Sequence, residues 1–516
     1  MKISELRTAI NESLRIQRGG AEPIQYVDVS NALTDIAARQ NHVVFGRRGC
    51  GKTLLLHQSA SKVDKSIATV YLNCEDFKNH SFPNVLIEIL DALFAELHQH
   101  LPGWFGRKRR SREIIASIRK QLSELRTKAD ETEENVKETS EKSTSGLLKA
   151  GLVAPGVGSY KGQTESAEKA QLEKTYKVSD EKIRDLHLLL PQIKAQLREF
   201  FAISSTVKAV FLQVDDFYHL KRTDQPFVSD YLHRLCKDVP LYFKIATLRH
   251  ASVLFTERSG QPTGAQERHD YQPINVDFTF NDFTRTETLN RKILYAFGNK
   301  VEMGASEIDS LFKGAGFQRL VMAGGGVPRD FLSLFLEVLQ AVQDGGDGRI
   351  GKDDVRLLSK QNFERRIQEL KQDSEGTDQY QLLKGIYVIR KFCLDKRTNA
   401  FCISEQLLQQ QDQTRDLIYR LLDYRIIHSV SPALTHKSQP GTFHAFVVDI
   451  GCYAHMRTLD GKFSEVDISE IDAKDRLRSA PALTEESFSS LWSTAPDNPE
   501  AELLDENVGI GNPQVQ

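Results

Sequence analysis

The stretch HVVFGRRGCGKTLLLHQSA, His42 to Ala60, decides the fold. His42 to Phe45 reads as a buried strand, and the run from Leu54 onward reads as a helix. Between them lie Gly46, four further residues, then Gly51, Lys52 and Thr53, the spacing of a phosphate-binding loop. Glycines let the backbone curl until successive N–H groups converge on phosphate oxygens, with a helix N-terminus behind them. Lys52 is expected to reach the β- and γ-phosphates of ATP, and the Thr53 hydroxyl to bind Mg²⁺. As an exposed ligand, Lys52 should cost little stability when removed. Gly46, Arg47, Arg48, Gly49, Cys50 and Gly51 complete the expected nucleotide cradle, with Cys50 a small spacer.

Working outward, further strands are expected at Ala68–Asn73, Ala209–Val214, Leu241–Thr247 and Ile274–Phe280. Nearly continuous apolar strands alternating with helices predict an α/β fold whose parallel sheet is covered on both faces. VFLQVDD ends in Asp215 and Asp216. Beside a phosphate loop, Asp215 suits the Mg²⁺ shell and Asp216 suits polarising an attacking water; the alternative is that these aspartates cap the next helix. IATLRH sets Thr247 and Arg249 at a strand end, where a polar or forked cationic group can sense the γ-phosphate; a satisfied surface arginine is the alternative. GGGVPRDFL places Arg329 at a helix start, from which it could reach back over the nucleotide; a plain helix-entry turn is the alternative.

The chain has 516 residues, with Lys+Arg 68 against Asp+Glu 70, so there is no global basic field for nucleic acid. At ~150 residues per domain this length accommodates about three domains. The six cysteines form no CxxC pair, which argues against a zinc site or a disulfide framework and for a reducing, cytoplasmic setting. No apolar run is long enough to span a membrane. MKISELRTAINESLRI reads as an amphipathic helix, unlike a signal peptide.

Between the second and third strands the chain is far longer than one crossover requires, so Trp104 to Pro191 reads as an insertion. It opens on the basic run GRKRRSR. Ile115, Ile118, Leu122, Leu125, Ala129, Thr132 and Val136 then follow coiled-coil spacing. Ser143 to Gly162 is rich in Gly and Ser, and Val178 to Phe200 reads as the return helix, kinked or broken at Pro191. This hairpin is expected to lie outside the sheet's core, so that removing Ser111 to Tyr176 would spare nucleotide binding. Residues 281–371 read as helical. Within 378–456, helices at Gln379–Cys393, Ser404–Gln410 and Gln413–Tyr424, followed by strands at Ile426–Val430 and Phe443–Ile450, suggest a winged helix. Its third helix would turn Gln413, Arg415, Asp416, Tyr419 and Arg420 outward toward DNA, with His436 and Lys437 on the wing. The polar stretch 463–516 reads as disordered.

GRRGCGKT, VFLQVDD, IATLRH and GGGVPRDFL, in that order and with the C-terminal module, resemble AAA+ ATPases. The resemblance is to the origin-recognition and replication-initiator clade, and more narrowly to bacterial proteins of that type. It implies an ATPase core over 1–280 carrying the coiled-coil hairpin 104–191, a helical lid over 281–371 and a winged helix over 378–456. It further implies Asp215 and Asp216 as Walker B, Thr247 as sensor 1, Arg329 as sensor 2, and an arginine finger from a neighbouring subunit, for which Arg258 and Arg268 are candidates. Asp-Asp stands where Asp-Glu is usual, and Thr-x-Arg at Thr247–Arg249 resembles the signal-transducing (STAND) NTPases. The expectation is therefore a slow ATPase acting as a nucleotide-dependent switch or remodeller on double-stranded DNA through the winged helix, with a protein partner or a second copy of itself also expected. The alternative is a STAND-like signalling NTPase that binds a protein partner through the coiled-coil insertion, without DNA. The transporter-type signature LSGGQ does not occur.

Overall fold

The computed structural model describes residues 2–14, 24–99, 109–126, 160–258, 260–374, 376–453 and 463–504, with only backbone described for 160–180. Five parallel strands form the central sheet in the order β2-β3-β4-β1-β7: β1 (His42–Phe45), β2 (Ile67–Asn73), β3 (Ala209–Asp215), β4 (Leu241–Thr247) and β7 (Gln272–Asn275). This is an α/β architecture, in which β1 lies inside the sheet and feeds the Gly-rich loop. Alternation within β1 sends Val43 and Phe45 to one core and Val44 to another. On the second face, α2 (Ala32–Ile36) and α3 (Lys52–Lys62) bury Ala32, Ile36, Leu55 and Leu56.

The fifth strand is shorter and earlier than Ile274–Phe280. Val276 N–H still bonds the Phe45 carbonyl at 3.0 Å, but Asp277 then turns aside to pair with Arg47. A short hairpin, β5 (Phe255–Arg258) with β6 (Gln261–Gly264), precedes β7 and has no counterpart in the sequence reading.

The inserted hairpin is not detached. The helix over residues 109–126 (α5) buries Ile114, Ile115, Ile118, Leu122 and Leu125. These join one core with α4 (Asn84–Gln99), α7 (Gln225–Cys236), Leu72, Leu212 and Val214. Arg119 pairs with Asp91 at 3.0 Å and Arg126 with Glu88 at 2.9 Å, both across to α4. The return helix α6 (Tyr160–Ile203) adds Leu186, Ile193, Leu197 and Phe200 to this core. It runs unbroken through Pro191, whose ring faces outward. The predicted seam at Ala129, Thr132 and Val136, the basic run up to Lys108 and most of the Gly/Ser-rich segment lie outside the described residues.

A second large core joins the lid to the C-terminal unit. The helices read from the sequence as a lid are α8 (Phe283–Lys300), α9 (Ala305–Asp309), α10 (Gly316–Ala323), α11 (Pro328–Gly345) and α12 (Lys352–Asp373). The C-terminal unit runs α13 (Gly376–Asp395), β8 (Ala400–Ser404), α14 (Glu405–Gln410), α15 (Asp412–Asp423), β9 (Ile427–Thr435) and β10 (Thr442–Val448), with antiparallel sheet order β8-β10-β9. Phe331 and Phe335 of the lid share a cluster with Ile386, Ile418 and Phe446. The first helix, α1 (Lys2–Ser13), buries Leu6 and Ile10 in this same cluster, so it packs on these helices rather than on the parallel sheet.

Residues 463–504 are ordered, contrary to the disordered reading. They carry α16 (Ala473–Leu477), α17 (Glu485–Ser493) and α18 (Pro499–Leu504). A few well-placed apolar residues, Leu477, Ala480, Leu483 and Leu503, are buried, and Cys402 N–H donates to the Pro481 carbonyl at 2.8 Å. Among the described residues, no helix is long and apolar enough to cross a membrane.

Candidate functional site

Parallel strands bring the carboxyl ends of β1, β2 and β3 to one edge, which is where open α/β sheets bind ligands. Gly49 and Gly51 both take positive φ, 85° and 86°. At Gly49 the requirement is doubled: a Cβ there would stand 2.7 Å from that of Arg329. The lid thus touches the loop directly, and Arg329 N–H donates to the Gly49 carbonyl at 3.3 Å.

Lys52 is buried rather than exposed, with its Nζ donating to the carbonyls of Gly46 (2.8 Å) and Arg47 (3.2 Å). Burial lowers its pKa, opposed by the charge of Asp216. Asp215 at the end of β3 is fully buried, accepting from Tyr71 Oη at 2.8 Å, from Asp216 N–H at 2.9 Å and from the Thr53 hydroxyl. Burial, then the neighbouring charge of Asp216, raises its pKa. A carboxylate strained in this way gains from a nearby cation. Asp216 takes a left-handed conformation (φ 51°) at the start of a short 3-10 turn, yet its side chain makes no capping bond. That removes the capping alternative and leaves its carboxylate available to the cleft.

Lys52, Thr53, Asp215, Asp216 and Arg329 all line one cleft of about 1360 Å³ between the sheet edge and the lid. Its apolar part is walled by Tyr26, Val27, Leu289, Ile293 and Leu332. Among the described residues Arg329 has no ion-pair partner. No group of three or more His, Cys, Asp or Glu could hold a metal among the described residues. Thr53 and Asp215 nevertheless fit Mg²⁺, which takes one or two protein oxygens and completes its shell with phosphate and water.

Other expected ligands stand elsewhere. Gly46 and Arg47 do not line the cleft: Gly46 N–H bonds the Thr247 carbonyl at 3.3 Å, and the buried Arg47 guanidinium grips Asp277 at 2.6 and 2.8 Å. Arg48 reaches the cleft wall but is bound to Tyr218 Oη (2.8 Å) and Asp373 (2.9 Å). Cys50 does line the cleft, but it is buried and desolvation pushes its thiol up, so it remains an unreactive spacer. Thr247 is buried against Ser252. Arg249 lies over the Phe45 ring at 4.3 Å and pairs with Glu267 at 2.9 Å; neither residue reaches the cleft. Of the two finger candidates, Arg268 is exposed ahead of β7, and the Arg258 side chain lies outside the described residues.

The outward face expected of α15 is occupied. Asp416 pairs with Arg222 of the parallel-sheet unit at 2.5 Å, and Tyr419 meets the His250 ring at 4.7 Å between centroids. Arg420 is buried against Asp378 at 2.6 Å, while Asp423 accepts from His250 and Ala251 N–H at 2.7 and 2.6 Å. Arg415 turns to Asp412 at 2.6 Å, and Gln413 is exposed. His436 is buried on the Ala480 carbonyl, and Lys437 pairs with Asp475, so the expected basic wing is neutralised by the following segment. Sequence reasoning missed Tyr26, Tyr71 and Tyr218 in the cleft. A tyrosine inside the apolar strand ATVYLN was the one available hint, since a buried hydroxyl requires a partner.

No protein-family model matches the chain, and no curated protein matches it. Among solved structures the chain is similar to the Drosophila ORC bound to DNA, at 11% identity, covering 88% of this chain and 92% of that one with a TM-score of 0.34. It is also similar to a Walker-type ATPase of Pyrococcus abyssi, at 10% identity, coverage of 83% and 94%, and a TM-score of 0.37. A third likeness is to the ORC1 protein of Aeropyrum pernix in complex with DNA, at 12% identity, coverage of 92% and 94%, and a TM-score of 0.31.

Proposed function

We propose that this chain is a Mg²⁺-dependent, AAA+-type ATPase that works as a nucleotide-controlled switch. The observation that carries the reading is the convergence of Lys52, Thr53, Asp215, Asp216 and Arg329 on one cleft. Loop amides and Lys52 neutralise the phosphates, and Arg329 closes on them from the lid. Thr53 and Asp215 are the residues that would hold Mg²⁺, which supplies charge neutralisation on the phosphates. Asp216 orients the attacking water and accepts its proton. Being one methylene shorter than glutamate, it positions that water less well, which costs rate rather than affinity.

Duplex DNA is the proposed ligand of the C-terminal unit, whose helix–strand–helix–helix–strand–strand order is that of a winged helix. Because α15 is docked on Arg222 and His250, DNA contact requires that helix to leave the core. The protein-partner reading is favoured by one observation: Arg415 and Arg420 are already paired to Asp412 and Asp378. ATP affinity and turnover of the wild type, Lys52→Ala and Asp216→Asn test the enzyme. DNA binding that requires ATP and falls with salt supports the first partner. No DNA affinity with ATP, with ADP or without nucleotide hands the output to protein.

A further inference from the structure

The phosphate loop is held from behind by the C-terminal unit. Arg425 follows α15 directly and is 1% exposed. Its Nη1 donates to the Arg48 carbonyl at 2.8 Å, inside the loop between Gly46 and Gly49. Its Nη2 bonds Glu369 of α12, and Nε stands 3.4 Å from Asp330 of α11. One guanidinium thereby ties together the phosphate loop, two lid helices and the C-terminal unit. Arg47 makes a second tie, with Nη1 3.4 Å from His428 Nδ1.

Two further features set Arg425 apart from an ordinary buried arginine. Its φ of 61° places it in the left-handed region just past a helix end, where glycine is favoured. In addition, a trans peptide points its C=O and N–H in opposite directions. Gripping the Arg48 carbonyl from outside therefore fixes the direction of the Gly49 N–H, and Gly49 lines the cleft.

We propose that Arg425 is a positioning residue of the nucleotide site: the C-terminal unit sets the phosphate loop through the Arg48 peptide. This rests on the nucleotide reading of the cleft. Docking of the unit and nucleotide affinity are then linked, each favouring the other by the same factor. Arg425 touches no phosphate, so its loss weakens ATP binding and leaves the chemical step to Asp215 and Asp216.

The test is steady-state ATP turnover and direct ATP binding on the full chain. Removing one charge-assisted hydrogen bond to the loop predicts a KM about tenfold higher in Arg425→Ala, with kcat within about twofold. That variant leaves Glu369 without its ion pair and leaves Asp330 with Arg366 alone, and it could fail to fold. Arg425→Lys, which keeps the charge but lacks the planar fork that spans the three acceptors, is expected at about threefold in KM. Asp416→Arg tests the linkage from a distance: it opposes Arg222 and Arg420, loosens docking, and should raise KM without touching the loop. An unchanged KM in folded Arg425→Ala or Arg425→Lys overturns the proposal, as does an unchanged KM in Asp416→Arg or a fall in kcat at fixed KM. Lys52→Ala separates the two readings. If it also keeps full ATP affinity, the nucleotide site is misplaced; if it alone loses affinity, only the role of Arg425 is wrong.

Discussion

Deleting Ser111 to Tyr176 is the perturbation whose outcome the structure reverses most sharply. Read as a free coiled coil, the hairpin could be cut without loss. In the structure, Ile114, Ile115, Ile118, Leu122 and Leu125 are at most 8% exposed and face α4. Burying such side chains is worth ~1.5–3 kcal/mol each, so these five contribute about 8–15 kcal/mol before allowance for a compact unfolded state. That matches the entire stability of an ordinary domain, about 5–15 kcal/mol. Deletion also removes these five from the cluster they share with Leu86, Leu90 and Leu97 of α4, together with the Arg119–Asp91 and Arg126–Glu88 pairs. The deleted chain should therefore be insoluble or lack a cooperative unfolding transition. The single change Ile118→Ala should still fold but lose ~2–5 kcal/mol in urea denaturation followed by circular dichroism. A soluble deletion variant with the wild-type urea midpoint and ATP affinity would refute the packing argument.

Lys52→Ala should lower ATP affinity at least 100-fold by calorimetry and, because Lys52 is buried on two carbonyls, also cost ~1–2 kcal/mol in urea. Unchanged affinity would displace the site. Asp216→Asn should retain ATP with turnover down at least tenfold, read by phosphate release against nucleotide retention; wild-type turnover in this variant would exclude Asp216 from the chemistry. His428 is held neutral, its pKa lowered to about 4 chiefly by burial. Its contribution is complete above the ordinary ~6.5 and is lost as pH falls toward 4, a span worth up to ~3 kcal/mol. The urea midpoint of His428→Gln should fall less steeply than the wild type between those pH values, and parallel profiles would contradict the assignment.

Some features follow from local sequence alone. The strand, the loop and the start of α3 are encoded within twelve consecutive residues, because glycine φ freedom, an apolar run and a helix start are all local. The apolar runs of β3 and β4 likewise announce strands buried on both faces, and that of β2 a strand half-buried on one. The same locality explains why Asp215 and Asp216 could be placed at a strand end. What neighbours a residue across the fold is not local. Thr247 and Arg249 sit at the predicted strand end, yet Ser252, Glu267 and Phe45 claim them, so strand position did not become cleft position. Heptad spacing in α5 marked an apolar face without saying that α4 would cover it. Arg420 and Asp416 looked solvent-facing because an amphipathic helix shows which side is polar, not what that side meets. Only tertiary packing brought Asp378, Arg222 and His250 against α15, and only packing set Arg425, 377 residues away in sequence, on the carbonyl of Arg48. A periodic pattern fixes which groups must leave water; the partner that receives them is chosen by the whole chain.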